Sequence, residues 1–121
     1  MKTEVNSFEA AKAAFKAIDE KQGIDITVIN ISEVSVIADY FIIASASNSN
    51  QLKAMADEVE QQLYKTGWKL KHSEGFQSKT WILLDFGDIV VHLFSKEERE
   101  FYNIERIWAD AKVVSEKQLR E

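Results

Sequence analysis

The sequence predicts a single α/β (α+β) domain in which a mixed sheet of about five strands is covered by helices. Three observations carry that expectation. Apolar residues recur at helical spacing in two stretches, first Phe8, Ala11, Phe15 and Ile18, then Leu52, Met55, Ala56, Val59 and Leu63. Around them lie β-branched and aromatic runs with the period of two that belongs to strands. The resulting order, α-β-β-α-β-β-β-α, is that of a layered fold in which helices bury the faces of one sheet.

Taken in order, Ser7 is placed to cap a first helix running to about Gln22, and Gly23 supplies its stop. A strand follows from Ile24 to about Ile31, with Ile24, Ile26 and Val28 on one face. Residues Ser32 to Asp39 form a connection. Tyr40 to Ser45 is apolar on both faces, as a central strand covered from both sides requires. The serines and asparagines between Ser45 and Asn50 break that strand and cap the second helix, which Gly67 ends. A short strand carrying Trp68, Leu70 and His72 leads to a loop through Gly75. Trp81 to Asp85 and Ile89 to Phe94 then form a hairpin about Phe86-Gly87-Asp88, with Gly87 taking a positive φ. Ser95 and Glu98 make a capping box that opens a third helix, and Glu97 and Glu98 suit the positive end of its dipole. The helix breaks near Asn103, after which Ile104, Ile107 and Trp108 pack a final helical segment on the sheet. The polar residues after Val114 are expected to fray.

With 121 residues, no proline, no linker and no internal repeat, residues 1–121 are read as one domain with one core. The absence of cysteine excludes disulfides, thiolate nucleophiles and cysteine-ligated metals, and is compatible with a reducing cytoplasm. No apolar run is long enough to span a bilayer or to form a signal-peptide core, so a cytoplasmic location is expected, with no membrane partner. Fifteen Lys and Arg stand against twenty Asp and Glu, a formal net charge of -5. Such a field repels phosphate backbones and favours a basic protein partner, so direct nucleic-acid binding is not expected as the main mode.

Candidate chemistry is sparse. Asp85-Phe86-Gly87 spells the magnesium-binding tripeptide of protein kinases, but the glycine-rich loop, strand lysine and catalytic loop of a kinase are missing. Asp85 and Asp88, with Asp39 as a candidate third member, constitute the alternative: a divalent-metal site for nucleotidyl transfer. Against it, the pair straddles a hairpin turn and no glycine-rich phosphate cradle precedes a helix. No catalytic residue, cofactor or metal is assigned. His92, between Val90 and Phe94 on a strand, reads as a buried, hydrogen-bonded core residue in preference to a general base. The large aromatics point elsewhere. Phe86, at the tip of a turn, is expected to be exposed beside two carboxylates, the composition of an interface anchor with a polar rim, and Trp81 is read likewise. Trp108 suits the core as well as an interface.

Four stretches, taken together, resemble a known family. They are Ser35-Val36-Ile37-Ala38-Asp39-Tyr40-Phe41-Ile42-Ile43, Ala56-Asp57-Glu58-Val59, the run from Trp81 to Phe94 (WILLDFGDIVVHLF), and Arg99-Glu100-Phe101-Tyr102-Asn103-Ile104-Glu105-Arg106-Ile107-Trp108. In this order, with Gly75 between the second and third, they are similar to the bacterial and organellar ribosomal silencing factors, also called Iojap-like proteins. The resemblance implies a nucleotidyltransferase-like fold without that activity. It also implies binding to the large ribosomal subunit through ribosomal protein uL14, which blocks joining of the small subunit and represses translation when nutrients run short. Carried over residue by residue, it assigns partner binding to Trp81, Asp85, Phe86 and Asp88 on the hairpin and to Tyr102 and Glu105 beyond it. It further implies a possible homodimer in the free state. The loop after the second strand departs from the family, with Ser45-Ala46 and Asn50-Gln51 where Thr-Gly and Arg-His are frequent.

Overall fold

The computed structural model describes residues 6–75 and 79–121; residues 1–5 and 76–78 of the expected domain lie outside the described residues. Helix α1 spans Ser7–Glu20 and is capped one residue earlier than expected, by Asn6, whose Oδ1 accepts from the Glu9 N–H at 2.9 Å. Ser7 is thereby released to donate its hydroxyl to Asp39 Oδ2 at 2.8 Å. At the other end the Gly23 N–H returns to the Ile18 carbonyl, and a Cβ at Gly23 would run into the Ile18 side chain. A close turn and a full core therefore meet at one residue.

Strands β1 (Ile24–Asn30) and β2 (Tyr40–Ala46) form an antiparallel pair, and α2 (Ser49–Lys65) follows, capped by Asn48. Then come β3 (His72–Glu74), β4 (Trp81–Asp85), β5 (Ile89–Ser95) and α3 (Lys96–Tyr102). A 3-10 turn, Ile104–Arg106, leads to β6 (Lys112–Val113) and α4 (Glu116–Arg120). The sheet order is β3-β4-β5-β2-β1-β6, with β2 and β5 parallel from Tyr40↔Ile89 to Ala46↔Ser95 and the other neighbours antiparallel.

Both faces of this sheet carry a core. Helices α1 and α2 cover one, burying Ala11, Phe15, Ile18, Leu52, Met55, Val59 and Leu63 against Val28, Ile42, Leu84 and Val91. The second face buries Ile29, Phe41, Ile43, Val90 and Phe94 under Ile104, Trp108 and Ala111 of the C-terminal segment. Strand β2 is buried on both sides, as its unbroken apolar run requires. Among the described residues, no helix is long and apolar enough to cross a membrane.

Further expectations are corrected, among them Ile107, which is exposed to solvent instead of packing on the sheet. The mixed sheet, expected to have about five strands, has a sixth, because Lys112–Val113 pairs with Ile29 and Asn30. The residues after Val114 form α4, capped by Ser115, and Leu119 is buried in the core between polar neighbours that mask it in the sequence. The third strand begins at His72, so Trp68 and Leu70 pack as an extended approach to it outside the ladder. Phe86, expected at an exposed tip, is 1% exposed. The Phe86 N–H donates to the Ile89 carbonyl across a turn in which Gly87 takes φ 96°. The ring continues the inward alternation of Ile82 and Leu84, on the face beneath the helices.

Candidate docking surface

Alternation along β4 sends Trp81, Leu83 and Asp85 to the second face of the sheet, opposite to Phe86. The C-terminal segment leaves the β4 margin of that face open. Trp81 lies against Phe94 at 5.0 Å between ring centroids and against Tyr102 of α3 at 4.9 Å. Tyr102 is 45% exposed and stands at right angles to Phe101, which is 79% exposed. Beside these rings runs a groove of about 370 Å³ lined by Trp81, Leu83, Tyr102, Thr80, Glu74 and Glu98. An apolar floor with two carboxylates on its walls is chemically suited to a Lys or Arg side chain. The alkyl stem lies on the rings, the cation faces their π electrons, and the carboxylates pair with it.

Beneath the groove, His92 is buried between Phe41, at 4.9 Å, and Phe94, stacked at 6.1 Å. Its Nδ1 accepts from the Trp81 indole N–H at 3.4 Å, which leaves the ring proton on Nε2. That nitrogen is buried with no hydrogen-bond partner among the described residues. Burial lowers the imidazole pKa to about 4, so at neutral pH His92 is uncharged and supports Trp81 from below.

The six anchors expected from the sequence do not form one patch. Trp81 and Tyr102 are brought together. Asp85 shares their face but sits at the far end of β4, roughly 13 Å along the strand at about 3.3 Å per residue. Its Oδ1 is engaged by the Gly87 N–H at 2.8 Å. Asp88 is exposed on the turn beyond it, where its carbonyl accepts from the Asp39 N–H at 2.7 Å. Glu105, partly exposed, pairs with Arg99 at 2.9 Å. Asp39 is tied to Ser7 of α1, so two of the three aspartates considered for a metal, Asp39 and Asp85, have other hydrogen-bond partners. Among the described residues no three His, Asp or Glu side chains converge as metal ligands.

Sequence reasoning missed Leu83, Glu74 and Glu98 in the groove. Leu83 was accessible, two residues from Trp81 on the same strand face. Glu74 and Glu98 were not, because their approach depends on how the edge strand and α3 flank β4.

Comparisons with known proteins agree with this architecture. The sequence profile of the family described as "Ribosomal silencing factor during starvation" matches residues 4–121. The chain is 39% identical over 107 residues to "Ribosomal silencing factor RsfS" of Bacillus subtilis, covering 88% of this chain and 91% of that protein. To the protein of the same name from Halalkalibacterium halodurans it is 37% identical over 106 residues, with 88% and 91% covered. A crystal structure of a Chromobacterium violaceum protein superposes with a TM-score of 0.84 at 32% identity, covering 87% of this chain and 88% of the other.

Proposed function

Because the chain belongs to the ribosomal silencing factor family, we propose that it docks on the large ribosomal subunit through ribosomal protein uL14 and keeps the small subunit from joining. Translation is thereby repressed under nutrient limitation. On this reading residues 1–121 act as one cytoplasmic docking body and not as an enzyme. The observation that carries the surface assignment is the groove in which Trp81 and Tyr102 meet between Glu74 and Glu98. Aromatic rings in a concave site dominate interface energies, and carboxylates with a net charge of -5 behind them favour a basic protein surface. Asp85 and Asp88 then form an outer acidic rim along the hairpin. Phe86 fills the core on the opposite face of the sheet and Glu105 pairs with Arg99, so neither is taken as a contact.

The test is co-sedimentation of the purified protein with large subunits, together with light scattering of subunit joining. Trp81→Ala and Tyr102→Ala are each expected to cost about 2 kcal/mol of binding, roughly thirtyfold in affinity, with inhibition of joining lost in proportion. Tyr102 is the cleaner probe because it lies outside the sheet. Binding weakens with added salt, as an exposed acidic rim meeting a basic surface requires. Undiminished binding by both folded variants would remove this face from consideration. The enzymatic alternative has its own check: micromolar magnesium or manganese binding, lost in Asp85→Ala, would revive it, and no such binding is expected.

A further inference from the structure

Arg99 leaves α3 toward the sheet, and its side chain is only 11% exposed. Its Nη1 donates to the Asp25 carbonyl at 2.6 Å, to Ser45 Oγ at 3.2 Å and to the Ile24 carbonyl at 3.4 Å. Nη2 donates to Thr27 Oγ1 at 3.2 Å and to Glu105 Oε2 at 2.9 Å, and Nε donates to Glu105 Oε1 at 3.3 Å. The acceptors on β1 exist because that strand is bulged. Ile24 pairs with Ser45 but Thr27 pairs with Ile43, so β1 carries one extra residue, and Asp25 takes φ 50°. A bulge withdraws carbonyls from the ladder, and a planar, always charged fork satisfies two of them at once.

The other side of the clamp is a chain break. Asn103 sits in the left-handed region at φ 46° and ψ 52°, with its N–H returned to the Arg99 carbonyl at 2.8 Å, and the 3-10 turn that carries Glu105 begins at the next residue, Ile104. Tyr102 therefore lies between two points held by one guanidinium. We infer that Arg99 is a positioning residue for docking: by gripping the β1 bulge and Glu105 together it fixes the corner that stands Tyr102 against Trp81. The docking consequence rests on the functional reading given above; the geometric one does not. Lysine cannot replace it, since one ammonium cannot span two carbonyls, two hydroxyls and a carboxylate.

The experiment uses the full chain as Arg99→Lys, Glu105→Gln, Tyr102→Ala and the double variant Arg99→Lys/Tyr102→Ala. In the free protein, NMR reads the Tyr102 ring signals, which Trp81 shifts through its ring current, alongside the methyl signals of Ile18, Met55 and Leu63 in the helix-covered core. In Arg99→Lys the Tyr102 signals are expected to move toward those of a solvated tyrosine while the core methyls stay in place. Affinity for large subunits is expected to fall about tenfold, as loss of one aromatic contact implies, and the double variant should bind no more weakly than Tyr102→Ala. Should Arg99→Lys fail to fold, Glu105→Gln opens the same clamp while leaving the β1 contacts, and a smaller shift of Tyr102 alone supports the inference. Unmoved Tyr102 signals in the folded variant, or additive losses in the double variant, would overturn it. If Trp81→Ala and Tyr102→Ala bind as tightly as wild type, the docking reading falls, and the Tyr102 signals still decide whether Arg99 sets that corner.

Discussion

His92 lies between Phe41 and Phe94 with its pKa lowered to about 4, well below the ordinary histidine value of 6.5, because the charged form is desolvated there. In the unfolded chain the imidazole takes up a proton as pH falls past 6.5, whereas in the fold it resists until about 4. Stability is thus complete above 6.5 and is lost progressively as pH falls through the folded value, by up to about 3 kcal/mol from this residue. Urea midpoints at pH 7 and pH 4.5 check it: the drop should be larger for the wild type than for His92→Phe, which keeps the packing and removes the titration. Phe86 supplies a second expectation. Filling the helix-covered core, it should cost about 3–5 kcal/mol of stability as Phe86→Ala, measured by denaturant unfolding, with docking by the folded fraction unaffected. The buried histidine was legible from its strand pattern, whereas Tyr102 as a contact entered only through the family resemblance. The burial of Phe86 was not legible, because a turn read as an interruption continues the inward phase of β4 for one residue more. The reach of Arg99 was hidden for a related reason, since its partners on β1 and β2 become neighbours only through the sheet and the bulge.

Among the elements, those with local signals were read well. The hairpin around Gly87, the start of α3 at Ser95, where the hydroxyl accepts from the Glu98 N–H at 3.2 Å, and the break at Asn103 all lie where local chemistry puts them. Elements that depend on distant partners were missed. Strand β6 has two residues and exists because β1 offers it an edge, and α4 has five and is held by where its one apolar side chain lands. Leu119 is 2% exposed in the core shared with α1, while Arg120 lies over the Phe15 ring and pairs with Asp19 at the surface. Leu119→Ala is accordingly expected to destabilise the protein by about 2–4 kcal/mol. Arg120→Ala should be far milder, since an exposed ion pair is screened by solvent. Thermal melts of the two variants, recorded side by side, distinguish a docked helix from a loose tail.

At the scale of the molecule, exposed apolar side chains recur outside the groove. Val34, Val36 and Ile37 project from the β1–β2 connection, Ile107 from the C-terminal segment and Val113 from the edge strand β6. Covering such surface is the physical motive for self-association, so the free protein is expected to form a homodimer. Light scattering across a wide concentration range should show a mass above 13.9 kDa, and a constant monomer value would dismiss the idea. The sheet order has a separate consequence, for the time course of folding. Strands β1 and β2 can meet early as chain neighbours, and so can β4 and β5, but the parallel seam from Tyr40↔Ile89 to Ala46↔Ser95 must wait for the whole intervening chain to close on itself. Both apolar layers cross that seam, through Ile42 and Val91 on one side and Phe41 and Val90 on the other. Until it zips neither layer is enclosed, so two hairpins that form early gain their stability together, in one concerted late step.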